Sequence, residues 1–426
     1  MIQSLKGKRL LLLGSNVWRD VIRRFANEYE VTLIFAGKYP ALLDDIADEV
    51  YRVDSINHEA MKRFICEHNI DGVYMGGSEL IISHACQYLN ELGLPCYCTY
   101  DQWETLQNKA KFKELCIKNG LPVVPRYILD SEDVRGSVPE DAYPVITKPA
   151  DGSGSNGFSV CHNADELEKG YQIAAENSFT GEVMCEKFVR NEGIVAFFSF
   201  SNGNMTFTLA EDKFPVRYEK QGSYVAGLFL CESRHTQEFR QKYEKKVAAM
   251  FREIGIKEGT IWIEIFHDGD QYFFNEVGYR YGGSFSFYTV DYFRSINQVY
   301  ADIYYALTGE SKLYGFSTLM PEKVKHGLNY CIYPIHLKPG KIVKIDGLEE
   351  IERWPNVVLI PKQKEEGDKV ADSGSFGQVM ALAHFTFKDN AECERTINRI
   401  HEVLKVTDSE GNEMVNKMFN LKTVFE

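Results

Sequence analysis

The sequence predicts a protein of mixed α/β and α+β class: an N-terminal doubly wound parallel sheet, a central domain of two α+β lobes, and a β-rich C-terminal segment. Three observations predict it. Up to Tyr100, short apolar runs alternate with helical patterns, which is how a parallel sheet with crossover helices reads. Between Glu182 and Phe274, apolar runs follow one another through turn signals, as in an antiparallel sheet. Beyond Lys338, the triplets Lys338-Pro339-Gly340, Trp354-Pro355-Asn356 and Asp372-Ser373-Gly374 punctuate a further strand-rich stretch. With 426 residues there is room for several domains, expected at 1–104, at 105–312 (a small lobe over about 105–180, a large lobe over about 181–312) and at 313–426.

Charge and cysteine usage narrow the function classes. A net charge of -13 argues against a nucleic-acid surface, so any phosphate must be met by a few local lysines or arginines, and the ligand is small. The ten cysteines are scattered, and the one close pair, Cys96 and Cys98, lacks the spacing of paired zinc thiolates. They read as reduced, mostly buried residues of a reducing compartment. No apolar run approaches the ~20 residues needed to span a bilayer, so a cytoplasmic protein without membrane contact is expected.

Taken in order, Lys8–Leu13 is a strand, Gly14-Ser15-Asn16 a turn and Val17–Tyr29 a helix. Strands at Val31–Ala36, Gly72–Met75 and Pro95–Thr99 alternate with helices at His58–Asn69 and Leu80–Leu92. Ligands of doubly wound sheets sit beyond the carboxyl ends of strands, which makes Ser15, Asn16 and Glu79 candidate contacts. Each also suits a helix N-terminus. A helix over Glu104–Asn119 carries Lys109, Lys111 and Lys113 and is stopped by Gly120-Leu121-Pro122.

The strand Tyr143–Pro149 ends in Lys148 and leads into Asp-Gly-Ser-Gly-Ser-Asn-Gly. Gly152, Gly154 and Gly157 formally match a dinucleotide fingerprint, but that motif must open a helix, and strand-like residues flank this loop on both sides. It therefore reads as a glycine hairpin able to fold over a triphosphate through backbone N–H groups, with Ser153 and Ser155 between the glycines and Lys148 placed to meet a phosphate. A helix at Asp165–Asn177 and a strand at Glu182–Val189 follow. Ile194–Phe200 and Met205–Leu209 are further strands, Asp212-Lys213 leads into a loop, and an amphipathic helix runs from about His235 to Ile254. Asp291–Leu307 is a tyrosine-rich helix, and a last helix covers Ala391–Leu404.

The stretch Gln271–Ser284 carries the most chemistry. Its apolar strand closes in Glu276, Arg280 and Gly282-Gly283, and Thr260–Phe266 before it carries Glu264. The two runs form a hairpin. A two-residue Asp268-Gly269 loop would leave the glutamates on opposite faces, whereas an odd loop or a bulge puts both on one face. Two carboxylates on one face are best explained by shared Mg²⁺, with Arg280 and the glycines as an anion clamp beside them.

In the order and spacing of these pieces the chain resembles the ATP-grasp superfamily, especially its carboxylate–amine ligases, the group of D-alanine–D-alanine ligase and biotin carboxylase. The pieces are Asn108-Lys109 ahead of Gly120-Leu121-Pro122, Val145-Ile146-Thr147-Lys148-Pro149 before the glycine hairpin, Glu186-Lys187-Phe188-Val189 with Glu192 after it, then Glu264, Glu276 and Arg280. The resemblance implies a Rossmann-like first domain followed by an ATP-grasp domain. It implies that Lys109 and Lys148 hold nucleotide phosphates beneath Gly152–Gly157, that Glu186–Val189 line adenine, and that Glu192 accepts the ribose hydroxyls. It also implies two Mg²⁺ on Glu264 and Glu276, with Mn²⁺ as an alternative, and Arg280 as the clamp on the transferred phosphoryl group. Lys213 is a further phosphate contact, and Glu79, Gly282 and Gly283 belong to the substrate side. One departure stands out: the family commonly has asparagine two residues after the second glutamate, where this chain has Gly278. Asn275, by strand parity, points to the opposite face.

The expected function is ADP-forming ligation of a small carboxylate to an amine through an acyl-phosphate, without a protein nucleophile; no G-x-S-x-G elbow is present. The alternatives are a nucleotide-binding sensor or scaffold without turnover, and a ligase whose co-substrate is a thiol or bicarbonate. A homodimer is compatible with this reading.

Overall fold

The computed structural model describes residues 3–14, 18–150, 157–189, 192–218, 223–269, 271–419, 421 and 424. Four parallel strands open the chain in the order Glu49–Tyr51, Thr32–Ala36, Arg9–Leu12, Gly72–Tyr74. Leu10 to Leu13 and Leu33 to Ala36 are buried on both faces, as parallel strands covered by helices must be. Helices Arg19–Tyr29, His58–Glu67 and Glu79–Leu92 supply that cover.

The large sheet is antiparallel and has eight strands, in the order Gln271–Gly278, Gly259–Asp268, Gly193–Ser201, Asn204–Tyr218, Ser223–Cys231, Asn329–His336, Val379–Phe387, Val357–Leu359. Its last three strands come from beyond residue 312, so the C-terminal segment extends the same sheet. Side chains alternate across it. Phe198, Phe200 and Phe207 face the amphipathic helical run Thr236–Glu253, whose Phe239 and Phe251 pack on them. Val195, Phe197 and Glu264 face the other way, into a cleft. A smaller sheet, Arg126–Tyr127, Val183–Lys187, Val145–Pro149, Ser159–Cys161, lies across that cleft, backed by helix Ala164–Glu176.

Several elements depart from the sequence expectation. Residues 95–99 are not a strand: the Cys98 carbonyl accepts from Asn90 Nδ2 at 3.0 Å, and Thr99 caps the next helix. The single helix expected over Glu104–Asn119 is two, Tyr100–Gln107 and Lys109–Lys118. Asn108 breaks it, because its side chain accepts from the N–H groups of Ala110 and Lys111, both at 3.1 Å. The loop expected after Lys213 is instead strand to Tyr218, paired with Ser223–Cys231. Asp291–Leu307 also divides, into Phe287–Arg294 and Gln298–Thr308, with Ser295 left-handed between them. All ten cysteines are unpaired, eight of them buried, and no helix among the described residues is long and apolar enough to cross a membrane.

Candidate functional site

The hairpin brings the two glutamates together through a bulge. Asp268 pairs with Gln271 and Ile265 with Phe274, but Glu264 pairs with Glu276, so Asn275 is the extra residue. Without the bulge Glu264 would face Asn275 and Glu276 would turn away. With it, both carboxylates and the Asn275 amide line the cleft, and Asn275 Nδ2 donates to Glu264 Oε2 at 2.7 Å. The parity argument that sent Asn275 to the opposite face is thereby corrected: a bulged residue does not alternate.

The two acids differ electrostatically. Burial works against Glu264's charge but is outweighed by Lys213, whose ammonium bonds Glu264 Oε1, and by Asn275, so this carboxyl lies below its ordinary value. For Glu276 burial dominates; Lys109 and Arg280 offset it only partly, while Glu264 and Glu79 add repulsion, and its carboxyl is raised. An ionised pair here lacks positive charge.

Toward the small sheet the cleft narrows into a slot of about 490 Å³ lined by Ile146, Phe158, Phe188, Val189, Tyr224 and Phe266. Its walls are apolar and its edge is backbone from Glu186 to Val189, which suits a flat heterocycle read by peptide groups. The Glu186 carboxylate, 1% exposed, lies on the face of the small sheet that its cross-strand partner Ile146 presents to the slot. It receives Lys148 Nζ at 2.6 Å on one oxygen and Lys113 Nζ on the other. Burial opposes Glu186's charge, yet Lys148 and Lys113 hold the carboxyl below its usual range. Burial and the Lys148 charge pull Lys113 down. Lys113 was not among the site residues expected from the sequence. The signal was its helical offset from Lys109, which turns it inward.

Arg280 lies at the other end. Its guanidinium meets Glu79 Oε1 at 2.6 and 3.2 Å, donates to the Tyr281 carbonyl at 2.8 Å, and lies 5.4 Å from the centroid of the Trp262 ring. Glu79 and Arg280, expected as separate substrate contacts, are thus paired, tying the first domain to the hairpin. Trp262 explains Gly278: a Cβ there would come within 2.5 Å of three ring atoms. Gly282 and Gly283 line the cleft, and a Cβ on Gly283 would meet nothing within 4 Å.

Gly152, Ser153, Gly154 and Ser155 lie outside the described residues, as do Ser15 and Asn16. Gly157 has φ +73° and sits where a Cβ would press on Asn177 and Pro149. The Glu192 side chain is exposed, and its carbonyl accepts from His267 N at 3.0 Å. A separate cluster of His235, Glu238 and His267 brings ligand-type atoms within 4.8 Å of one another. Lys242 at 2.5 Å and the Tyr272 hydroxyl at 2.8 Å already engage its carboxylate.

Two sheets closing on an apolar slot, lysines at its inner end and paired glutamates on the floor beyond place residues 108–284 in the ATP-grasp class. Residues 108–284 match the family described as "Carbamoyl-phosphate synthase L chain, ATP binding domain". Among curated proteins, the 2-oxoglutarate carboxylase small subunit of Hydrogenobacter thermophilus is 25% identical over 248 residues, covering 54% of this chain and 51% of its own. The chain thus spans about half the length of that relative. The L-arginine-specific L-amino acid ligase of Bacillus subtilis is 22% identical over 95% of this chain and 99% of its own. The solved L-amino acid ligase of Bacillus licheniformis shares the fold, with TM-score 0.74 and 20% identity over 95% of this chain and 99% of its own. A solved 2-oxoglutarate carboxylase biotin carboxylase domain, in complex with MgADP and bicarbonate, has TM-score 0.72 at 17% identity, covering 96% and 91%.

Proposed function

We propose that the protein is an ATP-dependent, ADP-forming ligase that joins a small carboxylate to an amine through an acyl-phosphate. The observation that carries it is the bulged hairpin, which sets Glu264, Asn275 and Glu276 on one floor between the nucleotide slot and Arg280. ATP would lie with adenine in the slot against Lys187–Val189 and its phosphates toward Lys148 and Lys109. Lys213 stands beside Glu264, where a phosphate oxygen would arrive. Glu192 and the loop Gly152–Gly157 belong to the same proposed nucleotide site, as ribose acceptor and phosphate cover.

The residues present fit divalent metal: two carboxylates and the Asn275 amide converge, and burial raises the Glu276 carboxyl, a penalty on its charge that a cation would remove. Glu264 and Glu276 would hold two Mg²⁺, or Mn²⁺; bound there, metal supplies charge neutralisation for in-line phosphoryl transfer. The chain's own work is positioning. Lys109, Lys148 and Lys213 draw charge from the phosphate oxygens, and Arg280 holds the acyl-phosphate. The amine then displaces phosphate at the acyl carbon. A thiol or bicarbonate co-substrate would use the same phosphoryl chemistry. A homodimer and a cytoplasmic location belong to this proposal.

The test is ADP release from ATP and Mg²⁺ across a broad panel of acids and amines. Turnover with at least one pair is expected; silence across the panel would leave a nucleotide-binding sensor as the better reading. Gly278, the departure from the family pattern, speaks less for a sensor because Asn275 brings an amide to Glu264.

A further inference from the structure

The large sheet carries a second set of donor groups on the face turned away from the cleft. Glu264 and Phe266 line the cleft, so His267, the next residue on their strand, points to the helical side, and Tyr272, its partner across the hairpin, does the same. The helical run Thr236–Glu253 begins over them, with His235 at its N-terminus and Glu238 three residues on, on one face. The His235 and His267 rings meet at 4.2 Å between centroids, and the Tyr272 hydroxyl donates to Glu238 Oε2 at 2.8 Å and lies 3.5 Å from His235 Nδ1. Among the described residues, His235, Glu238 and His267 form the one group of three or more such side chains whose donor atoms all lie within 4.8 Å of one another.

Two imidazoles and a carboxylate are the donor set of Zn²⁺, whereas Mg²⁺ takes oxygens. Tetrahedral donors around Zn²⁺ stand about 3.4 Å apart, so the spread of 4.8 Å closes with side-chain movements of about 1.4 Å or less. The surroundings supply a scaffold and an entry path. Ser233 Oγ donates to Asp212 Oδ1 at 2.5 Å and accepts from His235 N at 3.0 Å, and His267 N donates to the Glu192 carbonyl at 3.0 Å, so both histidines sit on fixed backbone. Tyr272 holds one oxygen of Glu238 and leaves the other to Lys242 Nζ at 2.5 Å, an ammonium standing where a metal ion would. The Lys242 side chain is 42% exposed, and Arg234, whose Nε lies 3.2 Å from His235 Nε2, is 63% exposed. Exposed contacts of this kind yield readily to a divalent ion. A polar recess bounded by Asp212, Arg234 and the two histidines admits the ion and the water that completes its shell. Directly after Glu238 the helix passes through a π turn, Arg240–Glu244, an irregularity frequent at functional sites.

We propose that His235, Glu238 and His267 bind one Zn²⁺, which ties the start of the covering helix to the glutamate-bearing hairpin near its turn. The site lies across the sheet from Glu264 and Glu276 and does not rest on the ligase reading. Its ion is structural: three protein donors and a water, holding in place the strand end whose His267 N–H secures Glu192.

The experiment strips the full chain with EDTA, exchanges it into excess Mg²⁺, and titrates it with Zn²⁺ by calorimetry and with Co²⁺ by visible absorption. A single Zn²⁺ should bind despite the Mg²⁺ and raise the Tm, and Co²⁺ should show nitrogen and oxygen ligation without the near-ultraviolet band of a thiolate. Losing an outer partner of a metal ligand costs roughly 10–100-fold in affinity, so losing a ligand, in His235→Gln or His267→Gln, should cost at least ~100-fold. Glu264→Gln, on the other face, should change Zn²⁺ affinity by no more than ~2-fold. If a histidine variant fails to fold, the parent's Co²⁺ form still decides, through two paramagnetically shifted imidazole N–H signals in its proton spectrum. No saturable Zn²⁺ binding in excess Mg²⁺, a thiolate band, absence of the two imidazole signals, or unchanged affinity in a folded histidine variant overturns the proposal, as does an affinity that falls in Glu264→Gln instead.

Discussion

Replacing Glu186 by glutamine removes a charge while keeping the side chain's shape. Glu186 is 1% exposed and is shared by Lys113 and Lys148, whose side chains are 8% and 19% exposed. In the variant two ammonium groups face each other across an uncharged amide. Breaking a buried pair by removing one partner costs about 3–5 kcal/mol. Lys148 reaches the cleft and can recover some hydration, so the lower end, about 3 kcal/mol, is expected. The sign with pH follows from Lys113, which burial and Lys148 already hold below its ordinary value. Loss of the carboxylate lowers it further. The unfolded chain then binds more protons than the folded one between the depressed folded value and the unfolded one, so the loss is fully present below the depressed folded value. It is relieved as pH rises toward the unfolded lysine value of about 10.4. Nucleotide phosphates would replace the missing negative charge, so ADP should stabilise Glu186→Gln more than the parent. Urea unfolding at pH 7 and 9.5, with and without MgADP, measures all three quantities. A loss below about 1 kcal/mol that is the same at both pH values would refute the reasoning, because it would mean that the lysines are solvated.

Glu276 is raised by burial and by Glu264, so Mg²⁺ binding should release a proton as pH falls toward that raised value, and affinity should drop with it. Without metal, ionising Glu276 lowers stability as pH rises past the unfolded value of about 4.3, so Glu276→Gln should be more stable than the parent in EDTA at pH 7 yet bind Mg²⁺ poorly. Calorimetry in two buffers of different ionisation enthalpy, with melts in EDTA, checks both. Asn275→Ala, which removes the 2.7 Å bond to Glu264, should weaken Mg²⁺ by ~10-fold or more by titration. Gly278→Asn should destabilise by about 1–3 kcal/mol in urea, since its Cβ overlaps the Trp262 ring, and Trp262→Ala in the same chain should restore most of the loss.

Much of this site could be read from residue order. Lys148 before a glycine loop, and the carboxylates Glu264 and Glu276 with Arg280 close behind, each sit at the end or on the face of a strand whose apolar run is plain in the sequence. The register was harder. Whether the glutamates share a face depends on one bulge, and the sequence Phe273-Phe274-Asn275-Glu276 carries no glycine to mark it. Partners distant in sequence were harder still. Nothing local tells that Lys113 reaches Glu186 or that Glu79 meets Arg280, because those pairs form only when separate elements pack. The strand missed after Lys213 has the same cause: Pro215 and the charges of Arg217 and Glu219 resemble a loop, and sheet pairing with Ser223–Cys231 overrides that local bias.

The bulge at Asn275, the glycine at 278 and the tryptophan at 262 form one arrangement. If an amide is to stand near both glutamates it must come from the next residue on the same face, position 278, or from a bulged neighbour. The chain uses the neighbour, and Asn275 bonds Glu264 from the same row. Position 278 is then free to lose its side chain, and the Trp262 ring takes the space, with Arg280 over it at 5.4 Å. A side chain at 278 would collide with the Trp262 ring. Moving the amide by one bulge leaves that space to the ring while the glutamate pair keeps its carboxamide. The departure from the family pattern at Gly278 is therefore better read as a relocation of the amide than as its loss. The double variant Trp262→Ala with Gly278→Asn tests this: adding Asn275→Ala to it should cost clearly less Mg²⁺ affinity than Asn275→Ala costs in the parent, whereas an equal loss would refute this account.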